Sequence, residues 1–419
     1  MSGATPDRDR DVLIVGGGPA GMMAALLFAR AGVSVTVLEK HGDFLRDFRG
    51  DTVHPSTMEI LSELGMLGRF LDRPHDKVYG GEIRIAGRDY AIGDLSHLDT
   101  PAPFIAMMPQ WDFLDFLRDE AAAFPAFALE MEAEAIGFIE EAGRIAGVCL
   151  ADGRELRAGK LVLMADGRAS LVRRLDMLPV TALGAPMDVF WFHLPKIDNP
   201  GGKLRGAIDT GRMAVLIDRR TYWQAAFLIP KGAGEEVKAR GTGWLREQME
   251  ALFPELDFAG GLQSTDELHL LAVAVDRLDC WHRPGLLAIG DAAHAMSPIG
   301  GIGINLAIQD AVAAANVLAA PLARGENPDP LLHKVQKRRT LPTRVIQAAQ
   351  KAAQDNVIGA VLSGAPITRA PWPVRMLDRY PLLRRIPGRL IGLGVRREHV
   401  RSPLSKSSRP AHDARRAPG

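Results

Sequence analysis

Apolar runs and a cluster of glycines alternate over the first forty residues. Residues 12–15 form a β-branched apolar run, residues 16–21 are rich in glycine, and the apolar run 22–29 follows at once. This order predicts a buried strand, a tight turn and a helix. Gly32 predicts the end of the helix, and the apolar run 33–38 predicts a second strand. Together these segments predict a right-handed βαβ unit.

The glycine turn of this unit has the spacing that binds a dinucleotide. One glycine permits the turn, one lets the backbone approach a pyrophosphate, and one lets the helix pack closely on the strand. The phosphates then lie at the helix N-terminus. An acid 18 positions after the last glycine, at the end of the second strand, suits an adenosine ribose. The residues predicted to bind the dinucleotide here are Gly16, Gly18, Pro19, Ala20, Gly21, Glu39 and Lys40.

Two buried strands farther along the chain each end in an acid and a glycine. The apolar run 160–165 leads into Asp166-Gly167, and the run 286–289 leads into Gly290-Asp291. A long alanine-rich helix is predicted over 305–320 after the second of these pairs. The carboxylate of Asp291 can accept hydrogen bonds from a polyol hydroxyl.

In the remaining segments, shorter apolar pieces are interrupted by polar residues. The pattern predicts short antiparallel strands between 80 and 109 and a helix over 111–124. Residues 136–156 predict a small β-meander with a turn at Asp152-Gly153. The stretch 187–276 is rich in strands and contains one helical piece, 242–252.

Composition and charge exclude several function classes. The chain has 419 residues with 51 Lys and Arg against 50 Asp and Glu, so a formal charge of +1 gives no bulk field to attract nucleic acid. Two cysteines, Cys149 and Cys280, are too few for a disulfide framework or a cysteine metal site and fit a reducing compartment. No export segment or membrane-spanning window is predicted, so we expect a cytoplasmic protein. No metal site is predicted, because Cys280 and His282 have no second pair of ligands at a suitable spacing.

The segment from Arg369 onward is strongly basic. It holds 13 Lys or Arg against three acids. Residues 381–393 mix arginines with apolar side chains and could lie on an anionic bilayer or clamp a neighbouring subunit, although Pro381 and Pro387 interrupt a long helix. A strap packed on its own protein is the favoured interpretation. Residues 402–419 are predicted to be disordered.

The glycine and acid motifs at 16–21, 166–167 and 290–291 resemble, in order and context, the aromatic-hydroxylase family of FAD-dependent monooxygenases, which includes para-hydroxybenzoate hydroxylase. The resemblance spans about residues 11–350, and the string 290–305 is its most specific part. It implies FAD as bound cofactor, with Arg49 near its phosphates and Gln110 holding it. The further cofactor-binding residues that it implies are Asp166, Gly167, Gly290, Asp291, Pro298, Gly301, Gly303, Ile304 and Asn305.

The family resemblance also implies a fold. We expect an α/β protein whose Rossmann-like FAD-binding domain, of the para-hydroxybenzoate hydroxylase type, carries an inserted antiparallel-sheet substrate domain and a helical, basic tail. We expect the FAD-binding domain at 9–79, 105–182 and 276–355 and the substrate domain at 80–104 and 183–275. A strap at 356–401 and a tail at 402–419 follow.

The loop after Asp291 predicts contact with a planar ring. Gly300, Gly301 and Gly303 carry no Cβ, so the backbone can approach the ring closely. The helix that opens near Asn305 turns its positive end toward that ring and favours an anionic reduced flavin. Pro298 shapes the loop and removes one donor. Pro298, Gly300 and Gly301 are therefore assigned to the reaction centre.

The activity that the resemblance implies is hydroxylation. NAD(P)H would reduce FAD, molecular oxygen would form a flavin C4a-hydroperoxide, and an aromatic or polycyclic substrate would receive one oxygen atom. The nicotinamide has no Rossmann motif of its own and would bind transiently in a shared groove. His193 and Tyr222 are candidates for activating the substrate. Alternation places Trp191 and His193 on one face of their strand and Phe190 and Phe192 on the other, and the sequence leaves open which face meets the substrate.

Other functions remain open at this stage. The motifs report cofactor binding and not the reaction, so a flavin-dependent hydratase, dehalogenase, halogenase or reductase is an alternative. The halogenase string W-x-W-x-I-P is not reproduced at 222–230, which disfavours halogenation. A non-catalytic flavoprotein that docks a ligand or partner is a second alternative. Monomer and homodimer are both compatible with the sequence. His294 is predicted to be a hydrogen-bonded structural residue, with no role in proton transfer.

Overall fold

The computed structural model describes residues 10–45, 52–196, 205–219, 221–258 and 260–405. Within them the strands are β1 (Arg10–Val15), β2 (Val35–Leu38), β3 (Thr52–Val53), β4 (Asp76–Val78), β5 (Gly80–Ile85), β6 (Arg88–Asp94), β7 (Ile105–Met107), β8 (Phe127–Glu130), β9 (Ala135–Glu141), β10 (Arg144–Leu150), β11 (Glu155–Met164), β12 (Val180–Ala182), β13 (Met187–Pro195), β14 (Arg205–Asp209), β15 (Arg212–Asp218), β16 (Tyr222–Pro230), β17 (His269–Leu271), β18 (Asp276–Leu278), β19 (His282–Arg283), β20 (Leu286–Ala288) and β21 (His294–Ala295).

The α-helices of the same residues come next. They are α1 (Pro19–Arg30), α2 (Pro55–Glu63), α3 (Leu67–Leu71), α4 (Gln110–Ala122), α5 (Leu171–Arg174), α6 (Gly234–Ala239), α7 (Gly241–Leu252), α8 (Gly303–Ala323), α9 (Leu332–Ala353), α10 (Gly359–Leu362), α11 (Trp372–Arg379) and α12 (Arg385–Leu393).

An eight-stranded sheet forms the larger part of the molecule. Its parallel core runs in the order β20-β11-β1-β2-β8, and β19 pairs antiparallel with β20. The helices α1 and α8 pack together, and α4 packs on α1, so the apolar strands lie under a layer of helices. The predicted βαβ unit is confirmed, with α1 beginning at Pro19, immediately after the glycine turn.

Strand β11 joins two predicted segments into one. Its first residues pair antiparallel with β10, and its last residues pair in parallel with β1. The sequence predicted a meander strand ending near residue 156 and a separate buried strand from residue 160. The structure shows a single strand of ten residues that exchanges partners along its length.

A seven-stranded sheet forms the second layer, in the order β17-β13-β16-β15-β14-β5-β6. It is antiparallel except between β14 and β5, which run parallel, so the prediction of a wholly antiparallel sheet is wrong at that pairing. The pattern also missed α6, since only one helical piece was predicted in this stretch.

The two faces of this sheet have different neighbours. Phe190, Phe192 and Leu194 lie in a buried cluster with residues of α6 and α7. Val189 and Trp191 face the other way and share a cluster with Ile299, which belongs to the loop before α8. The Trp191 face is therefore the one turned toward the loop before α8, and which face meets the substrate stays a prediction.

Helix α8 is a core helix. By length and composition the segment Ile299–Ala323 could cross a membrane, although the sequence analysis predicted no such segment. However, 72% of its apolar window is buried inside the protein. We therefore assign it to the core.

The segment from α12 to Ser405 straps the molecule from outside. Arg397 pairs with Glu59 of α2 at 3.0 Å, and the Glu398 carboxylate accepts a hydrogen bond from Arg338 Nε at 2.5 Å. Asn316 of α8 hydrogen-bonds to the backbone of residues 399, 401 and 402. Ser405 N donates to Arg30 O at 3.0 Å, so residues 402–405, expected to begin a disordered tail, are hydrogen-bonded to α1, and 406–419 lie outside the described residues.

Candidate functional site

The N-terminus of α1 meets the carboxyl ends of β1, β2 and β11. Gly16 has a φ of +106°, and a Cβ there would lie 2.5 Å from the carbonyl oxygen of Ala165. A Cβ on Gly21 would overlap the Gly16 carbonyl oxygen. Gly18 caps the helix without a side-chain hydrogen bond, and its own Cβ would meet no atom closer than 4.0 Å. The N-terminus of α1 therefore has no cap from the side chain of its N-cap residue and has space beside Gly18, which suits anion binding.

Glu39 closes this corner from the end of β2. Its Oε2 accepts a hydrogen bond from Gly17 N at 2.9 Å, and its Oε1 accepts one from His41 N at 3.1 Å. The sequence assigned Glu39 to a ribose, and the structure adds that it holds the glycine turn. An ionised carboxylate is a pure acceptor, so the same residue type suits a ribose hydroxyl as well as backbone amides. Lys40 is exposed beside it.

The Asp166-Gly167 motif forms a turn after β11. Asp166 Oδ2 accepts a hydrogen bond from Leu171 N at 2.7 Å, which ties the acid to the start of α5. Burial raises the pKa of Asp166 above its ordinary value, although this amide bond opposes the shift. Gly167 has a φ of +81°, which favours glycine in this turn.

Two arginines that the sequence reading did not select join the Asp166 and Asp291 motifs. Arg168 Nε lies 3.2 Å from Asp291 Oδ2. Its Nη1 is buried and has no hydrogen-bond acceptor among the residues that the structure describes. Arg173 donates to the carbonyl oxygens of Ala292 at 3.1 Å and Asp291 at 3.2 Å and is paired with Asp276. Both follow the Asp-Gly pair closely in the string 166–173, and that proximity was the available signal.

A buried charged cluster is hydrogen-bonded to the backbone of Gly290. Asp310 of α8 is fully buried and accepts hydrogen bonds from Gly290 N at 3.0 Å and from Arg339 Nε at 2.7 Å. Its Oδ2 also lies 2.6 Å from His294 Nε2, which confirms that His294 is hydrogen-bonded within the motif. Burial alone would raise the pKa of Asp310, but His294 and Arg339 outweigh it and hold that pKa below its ordinary value.

The loop between Asp291 and α8 contains two glycines at positive φ, and one of them lies against Thr52. Gly300 and Gly301 have φ values of +79° and +62°. A Cβ on Gly301 would lie 2.5 Å from Thr52 Oγ1, which donates a hydrogen bond to the Gly301 carbonyl at 2.9 Å. Pro298 caps the short helical turn 299–301, and Gly303 and Ile304 begin α8. The loop and the positive end of α8 therefore lie next to Asp291.

Asn305 of the predicted cofactor loop is hydrogen-bonded to the start of α2. Its Oδ1 accepts hydrogen bonds from His54 N at 2.9 Å and Thr57 Oγ1 at 2.7 Å, and the residue is 4% exposed. The side chain therefore joins the start of α8 to the start of α2. His54 is itself fully buried, and burial lowers its pKa to about 4, while a bond to the Ile391 carbonyl opposes that shift.

The face of the seven-stranded sheet that is turned to this loop carries the substrate candidates. Trp191 packs among apolar side chains that include Val215, Ile217 and Met107. Its Nε1 is buried without a hydrogen-bond acceptor in the described ranges. The rings of His193 and Tyr222 lie 4.4 Å apart at the end of the same strand pair, and Tyr222 is partly buried. An apolar wall with one inward polar donor results.

The two remaining predicted cofactor residues have different outcomes. Gln110 begins α4, three residues beyond Met107, whose strand β7 pairs with β3 at Thr52. It thus lies next to the small sheet that contacts Gly301. Arg49 lies outside the described residues, so its assignment remains a prediction.

The arrangement fits a dinucleotide that ends in a planar ring. Uncapped amides of α1 suit a pyrophosphate, Glu39 suits a ribose, and Asp291 suits a polyol. The glycine loop and the start of α8 suit the ring. Arg168, paired with Asp291, keeps at Nη1 a buried donor that has no acceptor among the described residues.

Comparisons with known proteins agree with this geometry. A family model described as FAD binding domain matches residues 9–349. The chain is 34% identical to the 6-methylpretetramide 4-monooxygenase of Streptomyces rimosus over 337 residues, which cover 78% of this chain and 80% of the relative. It is 30% identical to a rifampicin monooxygenase of Streptomyces venezuelae, covering 72% of this chain and 62% of that protein.

The solved structures extend the likeness to the fold. The p-nitrophenol 4-monooxygenase PnpA of Pseudomonas putida superposes with a TM-score of 0.73 at 21% identity, covering 88% of this chain and 93% of that chain. The OxyS anhydrotetracycline hydroxylase of Streptomyces rimosus gives 0.71 at 22% identity, covering 92% and 76%.

Proposed function

Because the chain belongs to the FAD-dependent aromatic-hydroxylase family of flavoprotein monooxygenases, we propose that it uses NAD(P)H and molecular oxygen to hydroxylate an aromatic or polycyclic small molecule. Bound FAD would supply the redox chemistry that activates oxygen. The protein's part is to bind and orient the cofactor and substrate, to exclude water and to set the charge around the ring.

One observation carries the proposal. The Asp166-Gly167 turn and the Gly290-Asp291 turn are brought together by the 3.2 Å contact between Arg168 and Asp291. The loop 298–301 follows from Asp291 and lies in one apolar cluster with Trp191 of the other sheet. A cofactor ring held by that loop would therefore face the apolar wall of the second sheet.

The charges of the site favour an anionic cofactor. The N-terminus of α1 presents uncapped amides to a pyrophosphate, and the N-terminus of α8 lies beside the loop that would hold the ring. A helix N-terminus carries about half a positive elementary charge. Both helix ends therefore stabilise negative charge, one on the phosphates and one on a reduced ring.

The substrate class follows from the apolar wall and from one donor. Trp191, Val215, Ile217 and Met107 suit a flat apolar molecule. The Trp191 Nε1–H is buried and lacks an acceptor among the described residues, so it favours a substrate that presents a carbonyl or phenolic oxygen there. Similarity to a 6-methylpretetramide monooxygenase and a rifampicin monooxygenase supports a polycyclic substrate.

The nicotinamide would share the groove with the substrate. The glycine turn at 16–21 is assigned to FAD, and the sequence has no second G-x-G-x-x-G. The Arg168 Nη1 beside Asp291 is a cation able to meet a phosphate of NAD(P)H.

The proposal is tested on the purified protein loaded with FAD. NADPH and NADH oxidation and oxygen uptake are measured with a panel of phenols, quinone precursors and polycyclic polyketides. We expect at least one polycyclic compound to accelerate both rates and to gain an atom from isotope-labelled oxygen. The matched pair of variants is Asp291→Ala, which should lose FAD, and Asp152→Ala, an exposed turn residue, which should keep it.

Two results would contradict the proposal. In the first, the FAD-loaded protein consumes no NAD(P)H in air with any compound of the panel. In the second, it converts a compound at the same rate without oxygen, which would indicate a different flavin reaction.

A further inference from the structure

The segment that contains α11 and α12 exposes an unusual number of large apolar side chains. Trp372 is 70% exposed, Leu382 69% and Ile386 67%. Met376 and Tyr380 add 39% and 47%. Large apolar residues grouped in this way on a surface mark an interaction site.

Arginines are interleaved with these apolar residues. Helical spacing puts Trp372, Arg375, Met376 and Arg379 on one side of α11, and all four are exposed. Arg385, Ile386 and Arg389 are exposed in the same way on α12. We call the following nine residues the apolar–arginine face: Trp372, Arg375, Met376, Arg379, Tyr380, Leu382, Arg385, Ile386 and Arg389.

The inner sides of both helices are held by the protein, so the face is fixed outward. Val374 packs in the cluster beneath α11, and Asp378 accepts a hydrogen bond from Ala91 N at 3.2 Å. Gly388 of α12 lies against the Asp94 backbone with no room for a Cβ, and Leu393 is buried. Pro387 lies in the first turn of α12, which tolerates proline, so the helix forms despite it.

The charge of the segment selects the partner. Residues 369–397 contain eight arginines and one acid, a net charge of +7, while the whole chain carries +1, so the remainder carries −6. The single acid, Asp378, already pairs with Arg88 and Arg384. A two-fold contact between copies would place arginines against arginines, which is repulsive. An anionic bilayer accepts both groups, because apolar side chains enter the headgroup boundary while guanidinium groups remain at the phosphates.

We propose that the apolar–arginine face docks this protein on an anionic lipid bilayer, with α11 and α12 lying flat in the interface. The surface is separate from the cofactor site, so this inference does not depend on the reaction. Membrane attachment is reversible and sensitive to salt, because it combines a few side chains with surface charge.

The test is flotation of the full-length FAD-loaded protein with vesicles. One set contains phosphatidylcholine alone, and the other contains phosphatidylcholine with about a third of phosphatidylglycerol, enough to give an anionic surface. We expect binding to the anionic vesicles that is at least tenfold stronger than to the neutral ones and that falls steeply with added salt.

Two variants and two controls assign the binding to the face. An apolar variant carries Trp372→Ser, Leu382→Ser and Ile386→Ser, and a charge variant carries Arg375→Gln, Arg379→Gln and Arg389→Gln. Each should weaken binding at least tenfold. The controls, Ile136→Ser with Leu175→Ser and Arg154→Gln with Arg157→Gln, change exposed residues elsewhere and should bind as the parent does. Residues 406–419 stay in every protein, so their basic side chains cannot explain a difference.

Three results would overturn the proposal. The first is equal binding to neutral and anionic vesicles, and the second is parental binding by both face variants. The third is a dimer in solution that the apolar variant converts to a monomer, because it would assign the face to a second copy. Unchanged FAD content in the variants verifies that they are folded.

Discussion

Gly16→Ala tests whether the glycine turn is built for close approach between the two motif strands. A Cβ at this position would lie 2.5 Å from the Ala165 carbonyl oxygen and 2.7 Å from Asp166 Cα. Both obstacles are backbone, so neither can rotate away. Either α1 or the Asp166-Gly167 turn must move, and both belong to the predicted cofactor site.

The expected magnitude has two parts. A non-glycine residue at a φ of +106° costs about 1–2 kcal/mol. Forcing atoms into a packed space costs a further ~1–3 kcal/mol. If the free protein relieves the overlap by moving the turn, FAD binding has to restore it. The overlap alone then raises the dissociation constant for FAD about 10- to 100-fold, since ~1.4 kcal/mol is tenfold.

The assay is a titration of the apoprotein with FAD, followed by flavin fluorescence. The matched control is Gly153→Ala, because Gly153 has a φ of +89° and open space around its Cβ position. The control carries the strain of the backbone without the overlap and should bind FAD as the parent does. If Gly16→Ala binds FAD within twofold of the parent, the argument from close approach is wrong.

Three further predictions concern buried groups. Asp310→Asn removes the carboxylate 2.7 Å from the buried Arg339 Nε and leaves that guanidinium with Glu398 at 3.5 Å, so it should lower the free energy of unfolding by about 3 kcal/mol. Asp355→Asn in the exposed Lys351 pair should change it by less than ~0.5 kcal/mol, with both values taken from denaturant midpoints. The folded pKa of His54 lies below its unfolded value, so stability present above pH 6.5 is lost as the pH falls toward 4. His54→Asn should remove about 2 kcal/mol of the fall in unfolding free energy between pH 7 and 5. An unchanged dependence of stability on pH would refute this. Trp191→Phe removes the buried N–H and should raise the KM for the substrate up to about tenfold with FAD content unchanged; an unchanged KM would exclude the donor role.

The first elements and helix α8 followed from the sequence because unbroken apolar runs bounded by glycines mark strands and helices that are buried on all sides. The strand, turn and helix at 10–30 and the helix α8 lie where the apolar runs predicted them. Periodicity reports which residues are buried and not which strands pair. That is why the exchange of partners along β11 and the parallel pairing of β14 with β5 did not follow from it.

The polar support of the site was harder to predict. The place of Arg168 and Arg173 just after the Asp166-Gly167 pair is a weak signal, and only the fold brings them to the Gly290-Asp291 turn. Asp310 did carry a signal, because an acid inside an alanine-rich apolar helix must be paired if the helix is buried. Its partner Arg339 lies 29 residues away on α9, and no local pattern connects the two.

The strap over α2, α8 and α9 has a consequence for synthesis. Residues 394–405 leave the ribosome after every strand of both sheets, yet Glu398 supplies the carboxylate that faces Arg338 and Arg339. Asn316 and Arg30 likewise lack their hydrogen-bond partners until the backbone of residues 399–405 has been made. A nascent chain still tethered at this segment therefore lacks the hydrogen bonds and ion pairs that join α1, α8 and α9 on the outside of the fold.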